Sequence, residues 1–213
     1  MFTRLRYVLL LILFFTEIYL CFFYVRPVGI LGNSIRILFF HVPAAWTSVI
    51  SFMISLFFSL RYIKTKNSVS AEKAVIVSAA GLFLLIAASV SGAIWAKSAW
   101  NSFWNWDVRQ TSIAVLILIY VAFFSIRLSV KNNRSRDMIS SVYLIFSSFA
   151  VPFFVFIAPR QYESLHPDLV SDGINSILSG GRVIQVLVFS ILYFSWLYFE
   201  IINHIFRTRK NEF

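Results

Sequence analysis

A single cysteine, Cys21, occurs in this chain of 213 residues. One thiol excludes an internal disulfide, a paired-cysteine metal site and a CxxCH haem-attachment motif, so the chain is not itself a c-type cytochrome. Histidine is almost as scarce, with only His41, His166 and His204. Two of them without a third histidine or a carboxylate at ligand spacing make a poor zinc site. The seven glycines form no phosphate-cradling loop, which excludes nucleotide hydrolysis by this chain. No Ser–His–Asp arrangement is evident. Acids number nine against nineteen Lys and Arg, and polar linkers, internal repeats and soluble appendages are missing.

What the chain has is apolar surface. Hydrophobic residues make up 59%, phenylalanine alone supplies 24, and the mean hydropathy is +0.79. Ordinary globular chains are roughly 45–50% apolar. Six runs near 7–25, 37–60, 74–96, 110–129, 138–158 and 183–205 are long enough to span a bilayer, which takes about 20 residues. The expected fold is all-α: one polytopic membrane domain over residues 1–213, with six transmembrane helices and short loops. The first run is longer than a signal-peptide core. Phe22, Phe23 and Tyr24 stand where a small-x-small cleavage site belongs, so it reads as a span.

A net charge of +10 suits nucleic acid, but its distribution does not. With the N-terminus in the cytoplasm, only Arg26, Arg36, Lys97, Arg109, Arg160 and Arg182 fall outside, and the other thirteen Lys and Arg fall inside. This is the positive-inside pattern, with both termini cytoplasmic. The partner of the basic excess is membrane lipid, not nucleic acid.

Several residues stand out along the spans. Glu17 lies within the first span, where a carboxylate costs on the order of 2.5–3.5 kcal/mol. It either contacts another helix or subunit, or is a protonated acid satisfied by a neighbour such as Thr16. In the second span, Pro43 disfavours helix at Val42 and suits a first turn, which puts His41 at or just before the helix start on the outer side. Thr111 and Ser112 are expected to cap the fourth span. The last outer loop, about 159–182, carries His166. His204 falls among basic residues on the inner side and reads as structural.

The densest signal is tryptophan. Trp95, Trp100, Trp104 and Trp106 fall within twelve residues, followed by Asp107 and Arg109. Interfacial tryptophans form anchoring belts, which explains one or two per helix end but not four together. Indole faces and N–H groups also suit a flat, polar-edged ligand. At helical spacing Trp100 and Trp104 share one face, and Trp95 and Trp106 another. The topology brings His41, this block and His166 to the outer side. Two imidazoles, an indole surface and Arg109, Arg160 and Arg182 on one side would suit haem and its propionates. Asp107 and Arg109 either pair with each other or face the ligand.

Gly92, Trp95, Trp100, Trp104, Trp106, Asp107, Arg109, Thr111 and Ser112 fit the pattern G-x-x-W-x-x-x-x-W-G-x-x-W-x-W-D-x-R-L-T-S. This resembles the WWD signature of haem-handling membrane proteins, most closely the cytochrome c maturation protein C family. The HVPAAW stretch at His41 and the ESLH stretch at His166 resemble the same family, and the likeness covers nearly the whole chain. Asn101 stands in place of the motif's Gly, Gln110 in place of Leu and Ser98 in place of Pro. Pro167 follows His166, where Gln is more usual. An Asn at 101 bears on any close backbone approach to the ligand.

The resemblance implies haem b held non-covalently and transiently on the periplasmic side of a bacterial inner membrane. His41 and His166 would be its axial ligands. Trp95, Trp100, Trp104 and Trp106 would form the platform, and Asp107 and Arg109 would meet the propionate edge. It further implies presentation of haem to a membrane-anchored haem chaperone, maturation protein E, alongside the small maturation protein D and the transporter-like maturation proteins A and B. That is a haem-transfer factor in cytochrome c biogenesis more than a classical enzyme. Two alternatives are a haem lyase or synthetase acting directly on apocytochrome, and a component of a haem transporter. Larger WWD synthetases carry extra spans and intramembrane histidines, and a transporter would need a polar path across the bilayer.

Overall fold

In hydrocarbon every backbone N–H and C=O must be satisfied within the chain, so long apolar runs become helices. The computed structural model of the protein describes residues 2–27, 32–166 and 181–210. Among these, the regular structure is helical: α1 (Phe2–Tyr19), α2 (Leu38–Thr65), α3 (Ser68–Trp100), α4 (Val108–Ser129), α5 (Asn133–Pro152) and α6 (Arg182–Lys210). A π turn, Leu20–Tyr24, extends α1, and a 3-10 turn, Asn33–Ile37, leads into α2. A second π turn, Phe153–Ile157, and a helical turn, Ala158–Gln161, extend α5. Six stretches are long and apolar enough to cross a membrane, as expected for a polytopic all-α protein. The helices outrun the apolar runs because charged ends such as Glu72 and Lys73 continue them. Pro167 lies outside the described residues.

The chain divides into two compact units, residues 1–46, 90–103 and 166–213, and residues 47–89 and 104–165. In the first, α1 packs on α6. Glu17, only 7% exposed, accepts hydrogen bonds from Ser190 Oγ (2.5 Å) and Cys21 Sγ (3.3 Å). The intramembrane carboxylate therefore binds another helix. Thr16 is occupied elsewhere, donating to the Ile12 carbonyl at 2.9 Å. Tyr24 reaches Gln185 at 3.3 Å and Arg6 pairs with Glu200 at 3.6 Å, so α1 and α6 are joined at several levels. Cys21, Val25, Ile35, Phe39, Val183 and Val186 form the core of this unit.

In the second unit small residues let helices approach closely, the usual basis of helix packing in a bilayer. Ser48, Ser51, Ser55 and Ser59 are fully buried along α2. Ser51 donates to the Val77 carbonyl (2.6 Å), and Ser55 shares a 2.6 Å hydrogen bond with Ser78 on α3. Phe52 stacks on Tyr120 of α4, with centroids 3.8 Å apart, at the heart of a core with Leu85, Leu116, Phe123, Leu144 and Val151. Tyr143 of α5 donates to the Ile119 carbonyl of α4 at 2.9 Å. Where α4 gives way to α5, Arg127 pairs with Asp137 (3.3 Å) and donates to Ser140 (3.0 Å).

Candidate functional site

His41 is the fourth residue of α2, not a residue at or before its start, because the 3-10 turn from Asn33 already sets helical direction. Pro43 lies inside the helix. Its missing N–H costs only the bond to the Phe39 carbonyl, a loss that membrane helices tolerate near their ends. The half-buried His41 ring leans on α3. Its Nδ1 lies 3.3 Å from Ser91 Oγ. A Cβ on Gly92 would stand 2.8 Å from His41 Cε1 and 3.2 Å from Nδ1, so only glycine leaves room for the imidazole there.

His166 meets the same helix one turn further on. Its ring sits edge-to-face with Trp95 (5.5 Å, 72°) and with Trp100 (6.3 Å, 75°), and those two indoles contact each other at 5.0 Å and 83°. Ser91 and Trp95 are four residues apart and thus share one face of α3. Their separation along the axis is about 6 Å. Within this unit one helix face receives both imidazoles.

The other two tryptophans do not continue that helix. α3 ends at Trp100, and Asn101 takes the left-handed conformation with φ +58°. Asparagine is the residue other than glycine that most readily closes a helix this way. Asn101 also accepts two hydrogen bonds from Lys97 Nζ, at its carbonyl (2.9 Å) and at Oδ1 (3.2 Å). The helical face-sharing expected for Trp100 with Trp104, and for Trp95 with Trp106, therefore does not occur. Trp104 and Trp106 instead pair edge-to-face at 5.6 Å in the irregular segment before α4. Trp106 has φ +56° and is 78% exposed. A bulky side chain in that region is held there by its surroundings. Here the holders are Gln110, whose side chain accepts the Asn105 N–H at 2.9 Å, and Asp107.

Asp107 caps α4, which therefore begins at Val108, three residues before Thr111 and four before Ser112. Its Oδ1 accepts the Arg109 N–H (2.9 Å), so these two neighbours meet through the Arg109 backbone. Its Oδ2 accepts Ser164 Oγ (2.8 Å) and the Leu165 N–H (2.7 Å). At 6% exposure this carboxylate is a strut inside the fold. It fixes the backbone one residue ahead of His166. Beside it opens a cavity of about 750 Å³, lined in part by Trp106, Thr111, Ser112, Phe153, Phe154 and Tyr162. Arg109 is half-buried in the first turn of α4, and His204 is exposed near the end of α6.

Ser91, Gln110 and Ser164 carry weight that spacing did not reveal. Gln110 had a local signal, since a polar side chain stands where the motif has Leu, next to the irregular segment whose Asn105 N–H it accepts. The other two act across 50 and 57 positions of chain.

Residues 2–212 match the family described as Heme exporter protein C. The Heme exporter protein C of Paracoccus denitrificans is 31% identical over 129 residues, 57% of this chain and 54% of the relative. That of Escherichia coli K12 is 30% identical over 139 residues, 63% of this chain and 55% of the relative. A ccmC-like mitochondrial protein of Marchantia polymorpha, named for cytochrome c biosynthesis, is 26% identical over 164 residues, 76% of this chain and 69% of the relative. The chain spans about half the length of the first two. With a match that runs nearly end to end, and with the tryptophan segment and both histidine stretches in place, the chain belongs to the Heme exporter protein C family.

Proposed function

We propose that this chain binds haem through His41 and His166 on the periplasmic side of a bacterial inner membrane and passes it on during cytochrome c biogenesis. The recipient would be a membrane-anchored haem chaperone of the maturation protein E type, with the small maturation protein D and the transporter-like maturation proteins A and B as neighbours in the assembly. The observation that carries the reading is the face of α3. Ser91 and Gly92 seat one imidazole, and Trp95 and Trp100 seat the other a turn away. The names of the relatives supply the cargo.

Each residue then has a physical task. Ser91, beside His41 Nδ1, would orient the imidazole that binds the iron. The indoles of Trp95 and Trp100 wall the site, and those of Trp104 and Trp106 offer an apolar surface to the ring edge. Arg109 meets a propionate through paired N–H donors. Asp107 acts on the site through its hold on Ser164 and Leu165 and not by touching a propionate, whose like charge it would repel. Two imidazole ligands saturate iron, which suits carriage of haem over oxygen chemistry. Release then requires a partner to displace an imidazole, and the one on the loop is the easier to draw away.

The test is an absorption spectrum. Wild-type protein purified from haem-replete membranes should show a bis-histidine haem spectrum, and the His41→Ala, His166→Ala double variant should lose it. An unchanged spectrum in the double variant rejects the ligand assignment.

A further inference from the structure

A second site lies in the 47–89 and 104–165 unit, on the side of α5 that faces away from its core. A groove of about 530 Å³ runs between α4 and α5, lined mainly by Ile119, Met138, Val142, Tyr143, Phe146 and Ala150. Its width is fixed by the Tyr143 hydrogen bond to the Ile119 carbonyl. Val142 and Phe146 are 40% and 72% exposed, so no described residue fills it. From Met138 to Ala150 the groove follows twelve residues of helix, about 18 Å. One leaflet of a roughly 30 Å hydrocarbon core is about 15 Å deep.

The Met138 end is basic in a particular way. Lys66, just past α2, holds the left-handed conformation (φ +56°), and its N–H donates to the Tyr62 carbonyl at 2.7 Å. Its Nζ lies 4.0 Å from Met138 Sδ, at the mouth of the groove, and 5.8 Å from the Tyr62 ring. Tyr62 in turn donates to the Arg134 carbonyl at 3.5 Å, which joins the end of α2 to the start of α5. The nearby acid, Asp137, is taken by Arg127 (3.3 Å) and Arg136 (4.0 Å). Lys66 forms no ion pair among the described residues.

We infer that this groove seats an acyl chain of an anionic phospholipid whose phosphate is met by Lys66. An apolar channel one leaflet deep, ending at an ammonium with no carboxylate against it among the described residues, complements a lipid in both shape and charge. Each basic group at a membrane surface favours an anionic headgroup by roughly fivefold. A neutral lipid would gain from the groove but not from the charge.

The purified, delipidated full chain in detergent can be titrated with phosphatidylglycerol or phosphatidylcholine of identical acyl chains, and bound lipid counted by native mass spectrometry. Wild type should retain one phosphatidylglycerol at least fivefold more tightly than phosphatidylcholine. Lys66→Gln should erase that preference while leaving phosphatidylcholine retention unchanged. Val142→Trp, which fills the groove, should weaken both. Equal retention of the two lipids by wild type, or an unchanged preference in Lys66→Gln, overturns the proposal. A photo-crosslinking residue in place of Phe146, activated in intact membranes, should label lipid. Labelling of a polypeptide instead would make the groove a protein interface and also overturn it.

Discussion

A methyl group on Gly92 would press against the ring of His41, because the Cβ position lies 2.8 Å from Cε1. Within a helix, replacing Gly by Ala stabilises by up to about 1 kcal/mol. Gly92→Ala should therefore leave the protein folded, with an unchanged or higher resistance to unfolding in sodium dodecyl sulfate. The imidazole must shift, and haem affinity should fall by at least tenfold in a titration followed at the Soret band. Unaltered affinity would show that His41 does not need this seat to hold haem.

The carboxylate of Asp107 makes three hydrogen bonds, to Arg109, Ser164 and Leu165. Bonds to a charged acceptor contribute about 1.5–3 kcal/mol each, although such terms do not add. Asp107→Ala should free the stretch around Ser164 and Leu165, visible as faster proteolysis there, and should weaken ligation by His166 while His41 ligation persists. Asp107→Asn should lie between, since one amide oxygen remains to accept.

Asn101 tests the backbone of the tryptophan segment. At φ +58° alanine is disfavoured by about 1–2 kcal/mol, while glycine is not. Asn101→Ala should lower stability by about that amount and Asn101→Gly by much less, in reversible denaturant titrations. An equal loss in the two variants would point to the Lys97 hydrogen bond at Oδ1, which both remove, as the main contribution.

The Arg127–Asp137 pair is nearly enclosed, with side-chain exposures of 16% and 8%. Removing one partner of such a pair strands the other charge, at about 3–5 kcal/mol when burial is complete. Asp137→Ala should reduce stability by about 3 kcal/mol, and Arg127→Met, Asp137→Leu together should recover part of it. Unfolding midpoints of the two variants would decide.

Much of this was open to reading along the chain. Uninterrupted apolar length marks a spanning helix whatever its neighbours do, so all six spans were visible. The tryptophans, His41 and His166 were visible as residue types that cores do not demand. Local competition between caps was not. Asp107 starts α4 because its side chain reaches the Arg109 N–H, and Thr111 and Ser112 are left in the second turn. Pro43 misled for a similar reason, as the 3-10 turn ahead of it supplied the helix start. The seat of His41 on Gly92 and the strut from Asp107 to Leu165 join residues 51 and 58 positions apart. No periodicity records such pairs.

The π turn at Phe153–Ile157 has a consequence for permitted chain length. It follows Pro152, which has no N–H to offer the Ser148 carbonyl, and it closes with the Ala158 N–H on the Phe153 carbonyl. A π turn holds one residue more than an α turn. Deleting one of its five residues would therefore restore ordinary winding with the downstream phase almost unchanged, because the wide turn already takes up that residue over about the same rotation. A second deletion would find no such slack, and would swing everything downstream by about 100° around the axis. Ser164 and Leu165 would then rotate off Asp107 although no bonding group had changed. The wide turn gives this stretch one residue of slack in length, and no more.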